Sequence, residues 1–474
     1  MPDRRTAEEA LTALLVAWLF WLPLPFGSVV ERAQPVLIIP PLLLCALAAL
    51  LRVGRPSIIT RPLRYWTIGG WLFVLVVALQ LVPLPNALHE ALSPESWRIR
   101  NDAMRVASLA IGAPMPAAQP LTVDVSLTAL HLFRVLAYLA TFLTAALLFR
   151  RHRRRWTLAI VLGCAAAFQA LYGVREMLLH RYAIWGWVNT LIFDRATGTF
   201  VNPNHFAHYA AIVLPLPLFV TAMAWHDAGP RGGKLGPRIV RLVETRIIPF
   251  GAGLIGAFAC LVAILVAQSR GALLAVVAGF AIVGAISSGS KHAARRIVLV
   301  GVAATVGIVL AVALIGEQRT LTRFRSFHSA DATSLGGRRM ALEAAMDIWQ
   351  RFPIFGSGLG TFDEVVSMTA IGAPDELINH AHDDYAEIAA TTGALGLVVS
   401  IVPLLAGVIA LMRLTCGAHS EELPWPRRAF QLAALTSLAI AMIHALVDFN
   451  FFIPANPATL AAIAGAAVAI KEPR

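Results

Sequence analysis

Asn379-His380-Ala381-His382-Asp383-Asp384-Tyr385 sets two histidines and two carboxylates side by side in a chain that is otherwise mostly apolar. Three chemistries suit such a cluster. A neutral imidazole, poised near pH 7, can take a proton from a sugar hydroxyl, with Asp383 or Asp384 orienting it or holding a polar acceptor. Acids are also favoured at a helix N-terminus, and a helix begins near Tyr385. Finally, His380, His382, Asp383 and Asp384 together are able to hold a divalent metal, although His-x-His outside a strand is not diagnostic. The general base ranks first, the cap second and the metal third; the first two roles coexist.

Further groups are placed as if for an anion. Arg270 stands alone between two apolar runs, in Gln268-Ser269-Arg270-Gly271. A charge at membrane depth marks a function or a buried pair, and the planar guanidinium fork suits phosphate. Arg195 leads a segment carrying Thr197, Gly198, Thr199, Asn202, Asn204 and His205. These supply donors at a helix start, where anions are favoured, while Asn202-Pro203-Asn204 reads equally as a turn with an N-cap. His444 and Asp448 lie four apart on one helical face; for His444 an interhelical polar contact is preferred. Arg134, inside an apolar run, needs a partner that the sequence does not name.

What must position these groups is a membrane bundle. The chain has 474 residues, 58% hydrophobic and only 14% charged, with a mean hydropathy of +0.71. A soluble domain carries about 25% charge, and apolar runs of about 20 residues match a bilayer core. Spans are predicted at 10–30, 34–52, 66–84, 127–149, 156–176, 205–226, 247–267, 271–289, 297–316, 388–412, 429–447 and 456–470. The fold class is therefore an all-α polytopic membrane protein of about 12 helices, a single integral-membrane domain over 1–474. The first run lacks a cleavage pattern and reads as a retained helix. With both termini cytoplasmic, the basic clusters, among them Arg150–Arg155, fall on one side, as the positive-inside rule requires. That distribution explains the net charge of +12 without nucleic acid. The four cysteines fit neither a zinc site nor an extracytoplasmic disulfide.

Three segments on the opposite side exceed simple turns. Residues 85–126 include an amphipathic stretch with Trp97, Met104 and Leu109, expected as a helix on the membrane surface. Residues 177–204 lead into Asn204. Residues 317–387, between the ninth and tenth spans, form the largest loop and end in the His380–Asp384 cluster. Within it Arg338 to Arg351 has helical spacing, and Pro353 ends that helix. Gly356, Gly358 and Gly360 read as a flexible turn, since no strand precedes them as nucleotide binding requires.

His382-Asp383, nine residues and then Gly393-Ala394-Leu395-Gly396 resemble the ligase motif of the O-antigen ligase/polymerase superfamily, which takes in the WaaL-type ligases and the Wzy-type polymerases. Asp383 stands where that family usually has Asn, Ser or Gln. Arg195 to Asn204, Ser269-Arg270-Gly271, Arg339 through Trp349 to Phe362, and His444 to Pro454 also look like family elements, so the resemblance spans residues 190–456. It implies an inverting, metal-independent glycosyltransferase of the GT-C type, without cofactor, in the bacterial inner membrane and with its active site facing the periplasm. The donor would be a glycan on undecaprenyl diphosphate. Arg195 and Arg270 would grip the diphosphate, His382 would activate the acceptor hydroxyl, and His380, Asp383, Asn204, Arg339 and Asp448 would support them. Lipid A-core is the first choice of acceptor, a growing O-antigen or exopolysaccharide the second, and protein the third. The alternative of another class is a transporter using His444, Asp448 and Arg134 as a polar pathway.

Overall fold

A computed structural model describes residues 4–54, 59–188, 195–229, 235–287, 331–369, 371, 378–417 and 423–469. Eight of the described helices are long and apolar enough to cross a membrane: Glu31–Leu50, Arg61–Gln80, Val125–Leu148, His152–Leu178, Pro203–Asp227, Ile247–Val266, Arg270–Ser287 and Asp384–Cys416. The protein is thus a helical, multi-pass membrane protein. Arg4–Trp21, Trp425–His444 and Ala455–Ala467 occupy three further expected spans. The expected span at 297–316 lies outside the described residues.

Local sequence explains where the elements begin and break. Asp124 accepts a hydrogen bond from Leu127 N and starts Val125–Leu148. Asn202 does the same for Asn204 N, with Pro203 at the first helical position. The expected span 205–226 falls within the crossing Pro203–Asp227, which is interrupted once: Pro215 lacks the N–H that would continue Pro203–Val213, and a second helical segment, Pro215–Asp227, starts there. Between 85 and 126 the chain forms Asn86–Leu92 and the amphipathic Pro94–Ile111, which leaves Val106, Leu109 and Ile111 exposed. The four cysteines are free thiols.

Small residues let the helices close on one another, as membrane packing requires. A Cβ added at Gly69 would stand 2.4 Å from Pro403, and one at Gly279 2.6 Å from Ile440. Arg134 finds its partners within the bundle: its Nε donates to Gln34 Oε1 at 2.9 Å, and its Nη1 meets His131 Nε2 at 3.2 Å.

A second, smaller core sits apart from the bundle core. Ala345 and Ile348 of Asp331–Arg351, and Phe352 just after it, pack with Phe362, Val365, Ala381 and Ala390. This core fixes Ala381, the residue between the two histidines. It is completed by a break in Asp384–Cys416 at Gly393, whose φ of 66° and ψ of −174° are not helical. The break frees backbone groups that the 353–358 segment then takes up. Ala394 N donates to Pro353 O at 2.8 Å, Ser357 N to Ala390 O at 3.1 Å and Gly358 N to Thr391 O at 3.0 Å. Gln80 closes the joint by donating to Phe355 O and Thr391 O and accepting from Leu359 N. Gly356, Gly358 and Gly360 all have positive φ, and a Cβ on any of them would collide with Thr391, Thr122 or His131. The turn expected to be flexible is instead a packed joint.

Candidate active site

Four segments distant in sequence converge on one cavity of about 120 Å³, lined by Arg195, Asn204, Ser269, Arg270, Arg338 and His444, with Asp448 beside them. Each is delivered by an identifiable contact. The Arg195 segment is tied to the end of Ile247–Val266 by Ala196 N donating to Val266 O, and to His152–Leu178 by Gln169, which accepts from Thr199 N at 2.8 Å. Arg270 opens its helix, and Ser269 Oγ accepts from Ala272 N. Gly271 lets His444 come in beside it, since a Cβ there would lie 2.9 Å from His444 Nε2.

Asp448 is the hub. Its Oδ1 is 3.5 Å from His382 Nδ1 and 3.6 Å from His205 Nε2, and its Oδ2 is 3.9 Å from Arg338 Nη2. These are ion-pair distances, longer than hydrogen bonds; the short contact to Oδ1 comes from Phe449 N at 3.0 Å. Burial by itself would raise the Asp448 carboxyl, but the approach of His205 and His382 holds it well below the usual carboxylate range. His382 turns Nδ1 toward this carboxyl, and with a proton on Nδ1 the nitrogen open to accept another is Nε2.

The loop carrying His382 is held from both ends. Glu387, one turn into the helix, folds back: its Oε1 accepts from His380 Nδ1 at 2.7 Å and its Oε2 from Ala381 N at 2.9 Å. Burial opposes a charge on His380, and the Glu387 carboxylate outweighs it, raising this imidazole above its ordinary value. The His380 ring stacks on Phe449 at 3.9 Å, and the edge of His382 meets the same ring at 5.0 Å. His382 itself has a φ of 52°, a left-handed conformation sparsely populated outside glycine. On the far side, Asp384 N donates to Ala445 O, Asp384 Oδ1 accepts from Phe451 N, and Tyr385 Oη donates to Met442 O. These bonds fix the distance between His382 and Asp448.

Of the residues singled out from sequence, Arg195, Arg270, Asn204 and Asp448 line one cavity and His382 contacts it through Asp448. His380 stands behind, as a partner of Glu387. Asp383 does not face His382: its carboxylate accepts from Tyr385 N and Ala386 N and caps the helix. Arg339 is placed elsewhere, its side chain 81% exposed and paired with Glu343, whereas the neighbouring Arg338 reaches Asp448. Adjacent helical residues point about 100° apart, so choosing between two consecutive arginines needed the helix's rotation, which sequence spacing did not supply. Glu387 carried a readable signal, a buried acid in the first turn of an apolar helix.

Residues 255–401 match the model of the O-antigen ligase family. That range takes in Arg270, Arg338, His382 and Gly393. This match supports the O-antigen ligase/polymerase superfamily that the motifs resemble. No curated protein matches it. A pocket with three guanidinium groups beside an imidazole–carboxylate pair is chemically able to supply cations to an anionic leaving group and a base to an incoming hydroxyl.

Proposed function

We propose that the protein transfers a glycan from undecaprenyl diphosphate to an acceptor hydroxyl, with lipid A-core as the acceptor, at the periplasmic face of a bacterial inner membrane. The observation that carries this reading is the convergence of Arg195, Arg270 and Arg338 on one cavity with the Asp448–His382 pair at its edge. In the reaction, His382 Nε2 takes the proton of the acceptor hydroxyl as its oxygen attacks the anomeric carbon from the face opposite the diphosphate, inverting that carbon. The bond from the anomeric carbon to the diphosphate oxygen breaks, and its electron pair stays on that oxygen. The arginines meet the charge that develops there, which is the largest electrostatic term available to such a site. Asp448 stabilises the imidazolium formed on His382, as a carboxylate behind a catalytic histidine does. No metal enters these steps.

The gathering of titratable groups around one cavity favours an enzyme over a transporter, whose charges mark a path through the bundle. Purified protein supplied with undecaprenyl-diphosphate-linked glycan and lipid A-core is expected to release undecaprenyl diphosphate and form the joined glycolipid, with or without a chelator. Lengthening of the glycan on its own lipid would reassign the protein as a polymerase. Absence of undecaprenyl diphosphate release with every acceptor would overturn the transferase reading itself.

A further inference from the structure

A second cavity, of about 210 Å³, lies beyond the His380 loop, lined by Phe73, His131, Arg134, Tyr138, Leu359 and Phe452 among others. Its walls are mainly apolar, and Arg134 is the one Lys or Arg among the described lining residues. Arg134 sits nine residues into Val125–Leu148, about 14 Å along the helix. Both of its partners are neutral. Gln34 supplies an amide oxygen, and His131 must present an unprotonated Nε2, because a guanidinium only donates. The other N–H donors of the fork have no described partner, and no described carboxylate pairs with the charge. Arg150 and Arg154, by contrast, share the buried carboxylate of Glu8. An embedded cation with neutral partners only is costly unless something anionic joins it.

The two cavities stand on either side of the same wall. His380 stacks on Phe449 and lies 5.7 Å from Phe452, which in turn lies 6.0 Å from His131. His382 meets Phe449 from the side of Asp448. A transfer between two membrane-borne substrates needs two such places, one on each side of its base.

Resting on the glycosyl-transfer reading above, we propose that the Arg134 cavity is the acceptor subsite: it holds the anionic phosphate group and adjoining apolar chain of a membrane amphiphile whose glycan extends past Phe449 to His382. The charge complements Arg134, and the apolar walls match the chain.

The test uses the full chain in neutral detergent, with dodecyl phosphate as the probe and dodecyl glucoside as its uncharged counterpart, bound probe being counted by native mass spectrometry. Dodecyl phosphate is expected to saturate at a site that Arg134→Gln weakens about tenfold, that Val135→Phe blocks by filling the cavity, and that Arg134→Lys largely keeps. Arg339→Gln, an exposed side chain that lines neither cavity, is expected to leave it unchanged. Equal retention by the parent, Arg134→Gln and Val135→Phe, or equal binding of dodecyl glucoside, would overturn the site. Displacement by phosphatidylglycerol at bilayer mole fractions would reassign it to a structural lipid and overturn the acceptor role. In turnover assays, Arg134→Gln is expected to raise KM for the acceptor and not for the donor; a raised donor KM alone overturns the assignment. If the parent turns over no donor yet the probe binds in the expected order, the transferase reading fails while the anionic site stands.

Discussion

His382 Nδ1 stands 3.5 Å from Asp448 Oδ1, brought there by two segments that meet only because Asp384, Tyr385 and Ala445 bond across them. We expect the pair to act as a unit. Asp448→Asn keeps the shape but removes the charge that stabilises an imidazolium. We expect kcat to fall about 10²- to 10⁴-fold with little change in donor KM. His382→Ala should lose at least as much, and the double variant no more than the larger single loss. Additive losses would show that the two residues act separately.

Arg338 and Arg339 form a matched pair for testing the placement of the pocket. Arg338→Gln removes a cation from the cavity and the partner of Asp448 Oδ2, so glycan transfer should fall at least about tenfold. Arg339→Gln alters an exposed side chain paired with Glu343 and should stay within about twofold of the parent. The reverse ranking, measured as initial rates, would contradict the cavity as described.

Asp383 works as an N-cap, so its hydrogen-bonding type matters more than its charge. Asp383→Asn and Asp383→Ser should preserve both folding and turnover. Asp383→Ala should cost about 1 kcal/mol of stability and lower the rate through a loosened His382 loop. Of the Asn, Ser and Gln usual at that position in the family that the motif resembles, Asn and Ser are good helix caps, as Asp is, and Gln is not. A turnover deficit in Asp383→Asn equal to that of Asp383→Ala would favour a role for the charge.

His380 carries an imidazole raised above its ordinary value of 6.5 by Glu387. A group raised on folding adds stability that is complete below the unfolded value and is lost as pH rises through the folded one. Thermal unfolding followed from mildly acidic to alkaline pH should therefore show an apparent Tm that declines above 6.5. Glu387→Gln should flatten that decline. An unchanged slope in the variant would assign the pH dependence to another group.

Gly393 should be irreplaceable. A Cβ there would lie 2.2 Å from Ile354 O, and the φ of 66° disfavours any side chain. Gly393→Ala is expected to lower the yield of folded protein and cut the Tm by several degrees, whereas Gly251→Ala, within the helix Ile247–Val266 and with open space around it, should leave the yield near that of the parent.

The sequence made the helical membrane class legible through long apolar runs, and it singled out Arg270 and Asp448 through charge in apolar surroundings, and Arg195, Asn204 and His382 through their polar neighbours. What it left dark follows from physics of longer range. Asp448 as the hub depends on 382 and 448 meeting, which no local pattern encodes. Arg338 over Arg339 is a matter of helical phase. The Gly393 break hides inside a run whose hydropathy is continuous, and Gln34 as the partner of Arg134 lies on another helix altogether.

The break at Gly393 has a mechanical consequence. Residues 384–392 are bonded to the 353–358 segment and to Ala445, Ala394 and Leu395 bond to Pro353 and Ile354 just past the break, and the chain beyond them to Cys416 runs on as a helix of the bundle. A helix tilts to match the thickness of the bilayer around it. We expect such tilting to be taken up at this glycine, leaving the distance from His382 to Asp448 little changed by lipid composition, so that the geometry of that pair travels with the cap rather than with the membrane.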